Sequence, residues 1–217
     1  NLQHLFEQHN VVRALKNSFA TTILQTFVAL AVSSIAGYGF EIYHDKAKDT
    51  VMAILMLAMM VPFVAVLVPL FQMFTKAKLL NSWTGFILPS IATPFLIMYF
   101  RNSARSFPRD TLEAARIDGL NEFQIFIRMF IPMMKPTYAS AATITFMGAW
   151  NAYLWPKVIM QTNEAITMPM LVANTMGGYV IDYGVVMAAV TICSLPTVII
   201  FFCLQKSFTN AVAGAVK

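Results

Sequence analysis

Apolar residues in this chain run in long blocks and do not alternate with polar ones. Five stretches contain no Asp, Glu, Lys, Arg or His: 17–40, 51–75, 82–100, 137–156 and 183–205. Each approaches or exceeds the roughly 20 residues needed to cross about 30 Å of hydrocarbon. Backbone N–H and C=O groups must find internal partners in lipid, so each stretch predicts a helix. Pro89 and Pro94 predict a kink in the third. Pro62, Pro69 and Pro196 are expected to interrupt their spans, because Pro removes a helix hydrogen bond. The Met run Met52, Met56, Met59 and Met60 reads as lipid-facing or packing.

Composition narrows the class. Hydrophobic residues are 58% and charged residues 12% of the 217, against roughly 45–50% and 25% in an average soluble domain. Mean hydropathy is +0.65. A soluble enzyme, a disordered chain and a nucleic-acid-binding domain are all disfavoured. The net charge of +5 fits a membrane protein with Lys and Arg on one side. If the five spans alternate, ten basic residues share one side: Lys46, Lys48, Arg101, Arg105, Arg109, Arg116, Arg128, Lys135, Lys206 and Lys217. The other side holds five: Arg13, Lys16, Lys76, Lys78 and Lys157. The richer side, which includes the C-terminus and 101–136, is expected to be cytoplasmic. The N-terminus then lies outside, which predicts a further span upstream and six in the full protein. Cys193 and Cys203 are too far apart on one helix to be bridged.

The inner loop 101–136 has 36 residues and one Gly, Gly119. It reads as two short helices about that Gly. The first follows Pro108, with Asp110 and Glu113 spaced as a capping box. Gly119 sits where a helix ends in the left-handed conformation. Asn121 can cap the second, with Gln124 three residues on, and that helix should stop near Pro132. A helix–Gly turn–helix on the inner face of a membrane is a docking surface for something soluble.

The run Glu113-Ala114-Ala115-Arg116-Ile117-Asp118-Gly119, followed by Phe123, Phe126, Pro132 and Pro136, resembles the cytoplasmic EAA loop of binding-protein-dependent ABC importer permeases. Leu120 stands where that pattern usually has Ala. Ser106-Phe107-Pro108-Arg109, Gly148-Ala149-Trp150-Asn151, Leu154-Trp155-Pro156 and the Gly/Ala-rich tail 211–217 are similar to the carbohydrate-uptake branch, which includes maltose-type permeases. The resemblance implies an all-α integral membrane fold, one permease domain over 1–217, in the bacterial inner membrane. It implies four partners: a second permease, a dimer of cytoplasmic ATP-binding subunits, an extracytoplasmic solute-binding protein and lipid. No nucleic acid is expected. ATP and magnesium are bound by the partner ATPase, and this chain carries no catalytic, cofactor or metal site. The coupling residues it implies are Glu113, Ala114, Ala115, Asp118, Gly119, Phe123, Pro132 and Pro136, with the loop acting as a stiff lever.

Each assignment has a plainer rival. Glu113 could simply pair with Arg116 at i+3, and Arg109 and Arg116 could be topology signals alone. Trp150, Asn151 and Trp155 read as a substrate pathway, since aromatic faces suit sugar rings and an amide both donates to and accepts from hydroxyls. An interfacial aromatic belt or helix packing explains the same residues. Gln25 and Gln72 read as packing. No phosphate-binding G-x-x-x-x-G-K-[ST] run is present. An ion-coupled carrier is disfavoured because the five stretches hold no ionisable residue. A permease for a non-sugar solute stays open.

Overall fold

The computed structural model describes residues 1–177 and 181–214, with side chains through 203. The described residues are helical and turn, with no strand among them. In chain order the helices are α1 Leu2–Gln8, α2 Val11–Ile42, α3 Lys46–Ala58, α4 Phe63–Lys76, α5 Trp83–Ile87 and α6 Pro94–Ala104. They continue with α7 Arg109–Ile117, α8 Glu122–Ile125, α9 Ile131–Met133, α10 Lys135–Trp150, α11 Leu154–Ile159, α12 Met168–Thr175 and α13 Tyr183–Gly214. The tail at 215–217 lies outside the described residues, and the side chains of 211–214 lie outside them too.

Among the described residues two helices are long and apolar enough to cross a membrane, Val11–Ile42 and Tyr183–Cys203, and the number rises to four if each broken pair, α3 with α4 and α5 with α6, counts as one span. Stretch 51–75 is therefore not one kinked helix. It breaks at Met59–Pro62, where Pro62 can donate no hydrogen bond and disfavours helix in the residue before it. Pro69 and Pro196 do not interrupt their spans; both sit inside continuous helices. Stretch 82–100 breaks as its prolines predict, through a tight turn at Leu88–Ser90 before α6 opens on Pro94. Stretch 137–156 is also divided. Helix α10 has 16 residues, about 24 Å of rise, and Asn151–Tyr153 separates it from α11. Pro156, in the first turn of α11, cannot supply the N–H a continuous helix would need there.

The helices pack as two compact units. One draws on Asn1–Thr26, Phe63–Pro89 and Thr143–Cys203. Its core sets Leu5, Val11 and Ala14 against Met168, Leu171, Val185 and Ala189. A second cluster gathers Phe74, Phe86, Trp155, Ile159, Met160 and Met170. Polar side chains fasten its loops. Ser18 Oγ accepts from the Met168 N–H at 2.8 Å, and the Asn17 amide donates to the carbonyls of Glu164 and Ile166.

The other unit includes Phe27–Pro62 and Ser90–Ala142. Its core joins Tyr38 to Ala104, Phe107, Leu112, Ala115, Ile125, Phe126, Phe130 and Met134. Helices α2 and α6 touch at Gly37, where a Cβ would lie 2.6 Å from Phe100 Cβ and 2.7 Å from the Arg101 nitrogen. Only Gly permits that approach.

Candidate functional site

The two-helix elbow at 109–133 is built from the second unit. Helix α7 begins after Pro108, which caps it without a side-chain bond. Asp110 falls inside the first turn, so the Asp110–Glu113 capping box does not form; Asp110 instead contributes negative charge near the helix N-terminus. The helix ends in a Schellman turn. The Leu120 N–H reaches back to the Ala115 carbonyl at 3.0 Å and the Gly119 N–H to the Arg116 carbonyl at 3.1 Å. Gly119 has φ +80°, the left-handed conformation that a Cβ opposes. Leu120 and Ala115 pack together in the core beneath.

Beyond the turn, Asn121 and Gln124 form a reciprocal capping box: Asn121 Oδ1 accepts from the Gln124 N–H at 2.9 Å and Gln124 Oε1 from the Asn121 N–H at 3.0 Å. The second helical segment ends at Met133, one residue past Pro132. It passes from α8 through a π-helical turn at Phe126–Phe130 into α9. Pro132 removes one N–H from the ladder, and a widened turn before it takes up the mismatch. The break comes at Met134, immediately before α10.

On α7 the positions 110, 113, 114 and 117 share one face, and Asp110, Glu113, Ala114 and Ile117 are all exposed. Ala115 is buried on the opposite side, so the two alanines of the motif face different ways. Asp118, Gly119, Pro132 and Pro136 are exposed, and Phe123 is 68% exposed. Ile117, the residue the motif reading passed over, is 85% exposed. Its i+4 spacing from Glu113 was the available signal. Asp110, Ala114, Asp118, Leu120 and Met129 line a shallow depression on this surface.

Arg116 does not pair with Glu113. Its Nε donates to Glu122 Oε1 at 2.7 Å, across the Gly119 turn. The Arg116 guanidinium holds the Glu122 carboxyl below the usual carboxylate range. Burial, then the Glu122 carboxylate, pushes the Tyr43 phenol up.

A second ionic group lies in the same unit, and residue spacing alone does not reveal it. Arg101, with a side chain 7% exposed, donates through Nη2 to Asp49 Oδ1 at 2.5 Å and through Nε to Glu41 Oε2 at 3.4 Å. Arg105 Nε also reaches Glu41 Oε2 at 3.4 Å, and His44 Nε2 stands 3.0 Å from Asp49 Oδ2. The C-terminal end of α2, the first turn of α3 and the last turn of α6 are thereby tied.

The aromatic candidates lie in the first unit. Trp150 is buried, stacked on Phe146 and edge-on to Phe19. Its indole N–H donates to the Cys193 carbonyl at 2.8 Å. Trp155 is buried, and its indole N–H bonds the carbonyls of Gly85 and Phe86, each at 3.1 Å. Both indoles thus spend their N–H on the chain itself. Asn151 is exposed, and its amide donates to the Met147 carbonyl at 2.9 Å. Gln25 is buried and Gln72 exposed.

A family profile described as binding-protein-dependent transport system inner membrane component matches residues 29–214. The chain belongs to that family. It is a transport permease subunit of the ABC importer type. It is similar to the lactose transport system permease protein LacG of Rhizobium radiobacter, 40% identical over 217 residues, which covers 100% of this chain and 80% of that one. It is also similar to the arabinooligosaccharides transport system permease protein AraQ of Bacillus subtilis, 34% identical over 202 residues, covering 93% of this chain and 72% of that one. Among solved structures, a bacterial ABC transporter involved in import of the acidic polysaccharide alginate superposes with TM-score 0.85 at 22% identity, covering 94% of this chain and 78% of that one. The MetNI methionine ABC transporter superposes with TM-score 0.68 at 21% identity, covering 93% and 95%. At those identities the structures establish the permease fold.

Proposed function

We propose that this permease moves a carbohydrate, an oligosaccharide or a related polyol, received from an extracytoplasmic solute-binding protein. The supporting observation is similarity across all 217 residues to the lactose transport system permease protein LacG, joined to an elbow whose exposed face carries Glu113, Ala114, Ile117, Asp118 and Gly119. In this reading the whole of 1–217 is one translocation domain in the bacterial inner membrane. The reading places 101–136 and the C-terminus in the cytoplasm, and the chain pairs with a second permease amid lipid.

The elbow docks on a cytoplasmic ATPase dimer that binds ATP and magnesium, and this chain performs no hydrolysis. A lever must resist bending, and the Schellman turn, the capping box and the aromatic core all stiffen it. Glu113 and Asp118 suit basic groups on the ATPase, while Ala114 and Gly119 allow close approach. Phe123, Pro132 and Pro136 complete the docking segment. Along the substrate pathway Asn151 carries the polar contact, and Trp150 and Trp155 hold the helices that present it.

The test uses the reconstituted complex. ATP hydrolysis stimulated by loaded binding protein is measured over a panel of oligosaccharides, polyols and amino acids, and stimulation by an amino acid alone overturns the substrate class. Gly119→Pro and Glu113→Lys are expected to insert normally but lose ATP-driven uptake. Normal uptake by both overturns the docking assignment.

A further inference from the structure

We propose that Arg116 and Glu122 are positioning residues, forming a strut across the Gly119 turn that bears on Tyr38 and Tyr43 and so passes movement of the elbow into α2. The proposal rests on the reading of this elbow as an ATPase dock. The strut links the last turn of α7 to the first residue of α8. Between them the chain turns at Gly119, and nothing packs within 4 Å of where its Cβ would be. The angle between the two helices is thus held by backbone bonds, the core beneath and this ion pair. The side chains of Arg116 and Glu122 are 42% and 40% exposed. Such a pair adds little to stability, so its consequence is geometric.

The far end of the strut meets α2. Tyr38 stands edge-on to Phe126 and Phe130, with centroids at 5.3 and 4.8 Å, so the π-helical turn after α8 is packed on the same side chain. The Tyr38 hydroxyl and Glu122 Oε2 are both buried and have no hydrogen-bond partner in proper geometry. Yet the Tyr38 and Tyr43 phenols both act on the Glu122 carboxyl. An unmade bond to a buried polar group costs about 1–3 kcal/mol. A small movement of the strut that lets Tyr38 donate to Oε2 would satisfy both groups, so the position of Glu122 and that of α2 depend on each other.

The test is made on the reconstituted complex, with uptake per ATP hydrolysed as the readout and co-purified ATPase as the control. Glu122→Gln and Tyr38→Phe should retain the ATPase subunit and lower uptake per ATP about fivefold or more. The reversed pair, Arg116→Glu with Glu122→Arg, should bring coupling back to within about twofold of the parent. Unchanged uptake per ATP in both single variants overturns the strut. So does loss of the ATPase subunit from Glu122→Gln that the reversed pair fails to rescue, since the pair then merely shapes the dock. Glu113→Lys reads the docking face separately, and a fall there without one in Glu122→Gln sinks the strut alone.

Discussion

The indole N–H of Trp150 donates to the carbonyl of Cys193, three residues before Pro196 in α13. A Pro inside a helix removes one backbone donor and crowds the carbonyls of the preceding turn. Trp150 supplies a donor within that turn, and α13 continues through its Pro. Trp150→Phe keeps the rings against Phe19 and Phe146 but removes the indole donor from this carbonyl. It is expected to lower stability by about 1–2 kcal/mol, measured by thermal unfolding in detergent. No change in Tm would show the bond to be dispensable.

Gly37→Ala should be worse than its chemistry suggests. The added methyl meets Phe100 Cβ, the Arg101 nitrogen and the Ile97 carbonyl, all closer than 3 Å, so α2 and α6 must part. Overpacking of this kind costs about 1–3 kcal/mol. Yield and Tm of the variant give the answer, and a Tm equal to the parent's would contradict the close approach.

Arg101→Met removes the guanidinium from Glu41 and Asp49. Glu41, 15% exposed, is left with Arg105 alone at 3.4 Å. Breaking a buried pair from one side costs about 3 kcal/mol at the low end of its range. Arg101→Lys should recover only part of the loss, because an ammonium cannot span both carboxylates as the fork does. Equal stability of the Met and parent proteins would remove this network from the account.

Acid should loosen the elbow. The folded-state value of Glu122 lies below its unfolded value. Its stabilising contribution is therefore complete above the unfolded glutamate value of about 4.3 and is lost as pH falls through the folded value. Amide protection factors across 116–126, corrected for the intrinsic pH dependence of exchange, should be flat from neutral pH to about 5 and fall below that. Glu122→Gln should remove the step; persistence of the step in that variant assigns it elsewhere.

The elbow also separates what local chemistry encodes from what packing decides. Asn121 with Gln124 and the left-handed Gly119 were legible, because caps and turns are satisfied by residues within a few positions. Asp110 misled, because Pro108 fixes the helix start two residues earlier and takes the cap position. Arg116 had four acidic residues within six positions along the chain, of which Glu113 and Glu122 are the two that matter here. The turn geometry brings the second to 2.7 Å, and no spacing rule chooses between them.

By itself the sequence determined the all-helical, membrane-type character of the chain and the motif that marks its family. Long uncharged blocks leave a lipid-embedded backbone no other economy of hydrogen bonds. The tertiary structure alone decided where those blocks break, which prolines are absorbed, and which charges meet. A proline removes a donor wherever it stands. Whether the helix ends there is settled in the folded chain: Pro62 falls at a break, while α4 and α13 run on through Pro69 and Pro196. Arg101 likewise meets Glu41 and Asp49 only because Gly37 lets two helices touch.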